Sequence, residues 1–275
     1  MGVNSMSESV RKRGLSEQEI RSLVEDYSKI VKEGLDERWK KLNVELYDSE
    51  TYEVVGGLIA RQATLSVQLA QSPSIWNGHI APLVLRCMTD AHINLAWILI
   101  EPKERARKYI IYGLGQEKLF IEHLKAEADS QDQEVQKMIK FRESWLNAQR
   151  RDFLVEVNVG NWAGLNTRDI AREAGCESLY KFAYAPFSGP AHNMWQHVAV
   201  YNLKFCTNPL HKFHKVPTIA PVQLDLDYFY RSAKYLEKSF KAFDEKFGLK
   251  IDTPMPLDWF IDRCDSFFTE RTQEK

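Results

Sequence analysis

Apolar positions along this chain recur mostly at three- and four-residue spacing, with long stretches free of Gly and Pro. Ser16-Glu-Gln-Glu19 has the form of a capping box and predicts a helix running to about Leu42. Further helices are expected over about 49–71, 75–100 and 102–128. Ser72-Pro73-Ser74 and Glu101-Pro102 mark the breaks between them. Residues 129–151 are polar with repeating charge and read as an exposed helix projecting from the body. Residues 158–166 read as a loop, and 167–174 as a short helix closed by Gly175. Residues 180–187 are rich in aromatics. A helix is expected from Ser188 to about Phe205, a proline-bearing loop over 208–221, and helices over 224–247 and 257–269. Strand-like alternation is nearly absent.

This pattern predicts an all-α fold: a single multi-helix, bundle-like domain with an N-terminal helical extension and a projecting polar helical hairpin. The expected organisation is a disordered start over 1–15, an N-terminal helix within 16–48, and a helical domain over 49–275 whose core motifs fall in 55–205. The chain begins Met1-Gly2, as a myristoylation signal does, but position 6 is Met where that pattern carries Ser or Thr, and the segment is read as an ordinary start.

Composition adds limits. With 44% hydrophobic residues in 275, the chain can fill a core. Net charge is -1, so any affinity for anions must come from a local patch. The four cysteines, Cys87, Cys176, Cys206 and Cys264, form no CxxC pair. No metal-ligand spacing is recognised, and neither metal nor cofactor is expected. The most apolar stretch, 83–100, is interrupted by Arg86, Asp90, His92 and Asn94. It predicts a buried helix rather than a membrane span. A cytoplasmic protein without membrane partners is the expectation.

Charge inside so apolar a helix is the informative feature. At about 100° per residue, Asp90 lies roughly 40° and Asn94 roughly 80° from Arg86, whereas His92 lies near 240°. Arg86 and Asp90 therefore share a stripe that His92 does not. They form either a structural ion pair or a site in which Asp90 orients Arg86 toward an anion. Arg61, in the small-residue context GLIARQATL, is a further ligand-binding candidate. Later, Tyr180, Tyr184, Ser188 and His192 recur at four-residue spacing. With Trp195 they suggest a lined pocket, while His197 points away. His211 and His214, with Lys204, Lys212 and Lys215, read as a solvated basic patch, with a phosphate-backbone contact as the alternative.

The stretches LVLRCMTDAHINLAWIL, RARKYIIYGLGQEK and LYKFAYAPFSGPAH resemble a bacterial helical domain-of-unknown-function family (number 5677) across about residues 55–205. The matching positions are Arg86, Asp90, Tyr180, Tyr184, Ser188 and His192. Asp90 stands where that family carries Glu. The family is in turn loosely similar to the HEPN superfamily of small helical ribonucleases and nucleotide-binding domains, which carry an Arg-x(4–6)-His motif, often at a dimer interface. Arg86 and His92 meet that spacing, but at about 120° apart on the helix they do not converge. The resemblance implies two functions. One is a module binding RNA, a nucleotide or another anionic small molecule. The alternative is a metal-independent ribonuclease, of toxin or phage-defence type. In that version His192 is the acid–base group, Arg86 stabilises the phosphorane-like charge and Asp90 orients Arg86. Tyr184 and Ser188 hold the phosphate. A homodimer is compatible with either.

Overall fold

The computed structural model describes residues 15–127, 132–149, 162–219 and 221–273. The expectations for residues 1–14 and for 158–161 lie outside these. Helix α1 (Glu17–Lys41) starts at the predicted capping box: Ser16 Oγ accepts the Glu19 N–H, and Glu19 accepts the Ser16 N–H. Its stripe of Leu23, Tyr27 and Val31 is fully buried, so α1 belongs to the main core.

Helices α2 (Ser49–Ala70) and α3 (Ala81–Ile100) follow, separated by a 3-10 turn at Pro73–Ile75. The start of α3 falls about six residues later than the apolar pattern suggested. Trp76 and Asn77 are held in a turn instead: Trp76 Nε1 donates to the Leu69 carbonyl, and Asn77 Oδ1 accepts the His79 N–H. By length and composition α3 could cross a membrane. Here its Leu85, Met88, Ile93, Leu95 and Ile98 are core side chains. It packs against α2 and against α10 (Asp227–Phe247), whose Phe229, Leu236, Phe240 and Phe243 supply the facing surface. Helix α11 (Pro256–Gln273) closes the other side of α10, with Phe229 and Phe260 in edge contact at 4.7 Å.

Three buried polar links fix the register of these helices. Tyr27, Ser66 and Ser232 form one hydroxyl chain at 2.6 and 2.7 Å. Gln62 and His92 meet at Ser239. Arg38 forks onto Asp244 at 2.8 and 2.7 Å and stacks over Phe240, satisfying a charge that would otherwise be buried unpaired.

Helices α4 (Pro102–Glu127) and α5 (Gln133–Gln149) pair as a hairpin with a small core of their own: Leu114, Ile121, Ile139 and Leu146. This is the projecting hairpin expected from the charge pattern. Helix α6 (Thr167–Glu173) then leads to a continuous helical run. That run comprises α7 (Glu177–Leu179), a π-helical turn at Tyr180–Tyr184, and α8 (Ala185–Ala191).

The helix expected over 188–205 is not one element. Helix α8 stops at Ala191, α9 spans Trp195–Tyr201, and β1 (Leu203–Phe205) pairs antiparallel with β2 (Lys215–Pro217). Asn193 causes the break by taking a left-handed conformation (φ 51°) while Met194 N–H closes back onto the Gly189 carbonyl. Strands of three residues are too short for alternation to reveal them. The architecture is nevertheless all-α, with one small hairpin.

Candidate functional site

Arg86 projects from α3 toward the run that carries Tyr184 and Ser188. Its Nε–H donates to Ser188 Oγ at 2.9 Å, and the Ser188 hydroxyl donates onward to the Tyr184 carbonyl at 2.9 Å. The guanidinium lies flat over the Tyr184 ring, 3.1 Å from its centroid. Tyr184 is held in turn: it stacks on Tyr180 (5.0 Å, 21°), and its hydroxyl donates to Thr167 Oγ1 at 3.3 Å.

The π-turn makes this arrangement. Ala185 N–H donates to the Tyr180 carbonyl, one residue wider than an α-turn, so Tyr180 and Tyr184 fall in line and Ser188 continues the row. Asp90 is one turn along α3. Its carboxylate is 3.7 Å from Arg86 Nη1, and its side chain is 43% exposed against 19% for Arg86. Burial pushes the Asp90 carboxyl up, and the Arg86 charge only partly opposes the shift. Among the described residues, Arg86 Nη2 donates no hydrogen bond.

The structure thus brings together Arg86, Asp90, Tyr180, Tyr184 and Ser188. His192 is the C-cap of α8, one turn beyond Ser188, with its N–H donating to the Ser188 carbonyl at 3.0 Å; its side chain is exposed and makes no hydrogen bond to Arg86. Trp195 begins α9 and is 71% exposed. Trp195 leaves the row because α8 ends at Ala191 and the left-handed Asn193 separates it from α9.

His92 faces α10, with Nδ1 2.9 Å from Ser239 Oγ, and burial pulls its pKa down to about 4. It is a neutral core residue turned away from Arg86, as the helical angles required. Arg61 lines a groove of about 900 Å³ between α2, α4 and α5, with Glu50, Glu53, Tyr109 and Trp145. Tyr109 links that groove to the Arg86 cluster: burial and the nearby Asp90 charge both push its hydroxyl up.

One grouping was passed over in the sequence. Cys206, His211 and His214 present ligand atoms all within 4.8 Å of one another at the tip of the β1–β2 hairpin. The spacing Cys-x4-His-x2-His is its only signal in the sequence, where the two histidines read as part of a basic patch and Cys206 as an isolated cysteine. What hid it was the unseen hairpin, because the loop ends become neighbours only when the strands pair.

A model of a family of unknown function (DUF5677) matches residues 52–208. No curated protein and no solved structure matches the chain.

Proposed function

We infer that this chain, which belongs to the DUF5677 family of unknown function, binds a phosphate-bearing or similarly anionic ligand through Arg86. The observation that carries the reading is a guanidinium fixed on its Nε edge and its face, with only a long ion pair to Asp90. Ser188 holds its Nε edge and Tyr184 its face, while Asp90 pairs with it only at 3.7 Å. A planar, fixed guanidinium edge suits the paired oxygens of a phosphate. The adjoining groove, with Arg61 and Tyr109, has the volume of a small-molecule site.

The ribonuclease alternative would need His192 to swing from its exposed turn onto a phosphate at Arg86. It predicts cleavage of RNA in EDTA that His192→Ala abolishes. For the binding reading, calorimetric titration with pyrophosphate and adenosine diphosphate is the test. Arg86→Gln is expected to weaken binding at least about tenfold, or roughly 1.4 kcal/mol, and Ser188→Ala less, since it only loosens the guanidinium. Equal binding by wild type and Arg86→Gln, or no binding by wild type, would remove the reading.

A further inference from the structure

We propose that Cys206, His211 and His214 form a binding site for a zinc-class divalent cation, with the fourth coordination position open. The hairpin brings the residues together. Its register pairs Phe205 with Lys215, and the next pair outward is Cys206 with His214, joined by a hydrogen bond from Cys206 N–H to the His214 carbonyl at 2.9 Å. The first and last ligands are thereby fixed across from each other. His211 folds back between them through a turn in which His214 N–H donates to the His211 carbonyl, with Phe213 in the left-handed region at φ 63°. A non-glycine residue rarely adopts that conformation, and here it turns both imidazoles to one side of the loop.

The distances fit the chemistry. Bond lengths of about 2.3 Å to thiolate sulfur and 2.0–2.1 Å to imidazole nitrogen place the S and N corners of a tetrahedron about 3.6 Å apart. Cys206 Sγ and His211 Nδ1 are 3.6 Å apart. The widest separation in the triad, at most 4.8 Å, needs to close by little more than about 1 Å.

An outer contact prepares the sulfur as well. Cys206 Sγ accepts the Asn208 N–H at 3.5 Å, a bond that favours sulfur carrying negative charge. The Asn208 amide nitrogen, a donor, stands 3.3 Å from His211 Nε2, while its Oδ1 accepts the Leu210 N–H; ligation through His211 Nδ1 leaves the ring proton on Nε2, so this amide turns away on metal binding. One thiolate and two neutral imidazoles are the donor set of a borderline-soft cation, not of calcium or magnesium. On binding, the cation displaces the thiol proton of Cys206, which passes to solvent. Three protein ligands leave one position for water or an external ligand, the arrangement of zinc sites that react rather than only brace a fold. Two of the three ligands lie beyond the family-matched segment, which ends at residue 208.

Reduced, metal-free full-length protein should be titrated with Zn(II) against a chelating indicator, and with Co(II) monitored by absorption. The expected result is one ion per chain and a thiolate-to-cobalt charge-transfer band. Cys206→Ser should lose the band. Cys206→Ser, His211→Ala and His214→Ala should each weaken binding by more than about 100-fold, beyond the effect of losing an outer-shell partner. Arg86→Gln should bind the metal normally, which separates this proposal from the anion site. Circular dichroism of each variant checks the fold, which a change at the hairpin tip should leave intact. Wild-type affinity no higher than that of the three variants, or binding without the charge-transfer band, would overturn the proposal.

Discussion

His92 is a histidine whose environment leaves no room for charge. Its ring is buried against Ser239 on α10, and burial, with a smaller contribution from the Lys238 charge, lowers its pKa to about 4. In the unfolded chain it titrates near 6.5, so between those values the unfolded state binds a proton that the folded state refuses. The associated stability is complete above about pH 6.5 and is lost as pH falls toward 4, amounting to about 3 kcal/mol. Chemical denaturation of wild type and His92→Gln across that range should show a slope in the first that is flattened in the second. Parallel slopes would mean that other groups dominate. The periodicity of the helix showed that His92 leaves the Arg86 stripe; that it meets a serine 147 residues later was not readable from it.

At the scale of elements, the junction of α8, α9 and the hairpin departs most from expectation. The tyrosine–serine row survives because the π-turn and α8 preserve its alignment, whereas Trp195 is carried off it by the break at Asn193 and His192, at the C-cap, is exposed. Helix α9 is seated by Tyr201, which packs with His79 (5.0 Å) and His197 (4.7 Å) over the backbone of Gly78. A Cβ at Gly78 would overlap the end of the Tyr201 ring. Gly78→Ala is therefore expected to destabilise the protein by about 1–3 kcal/mol. Thermal unfolding of the Gly78→Ala/Tyr201→Ala pair should show less than the sum of the single losses, since the clash and the ring are one interaction. Additive losses would mean that the tyrosine does not rest on this glycine.

At the scale of the whole molecule the described residues form two hydrophobic clusters of unequal size. The main one joins α1, α2, α3, α10 and α11 with the run around Tyr184; the smaller one holds α4 against α5. A cluster of four buried side chains supports a unit that opens below the global unfolding free energy. Ile139→Ala or Leu146→Ala should speed amide exchange over residues 114–149 while leaving α3 and α10 protected. Equal acceleration in all of them would show that the hairpin unfolds only with the core.

By itself the sequence determined the helical class, the capped start of α1, the exposed hairpin and the pairing of Arg86 with Asp90. Each is written in local spacing, because helix geometry places residues three and four apart on one face whatever lies around them. The tertiary structure alone decided which faces meet. It set Arg86 on Tyr184 and Ser188 from 102 residues away, turned His92 into the core, and folded a loop so that Cys206 and two histidines converge. Such contacts depend on how helices pack and where the chain breaks. A single residue such as Asn193, by taking a left-handed turn, redirects every side chain that follows it.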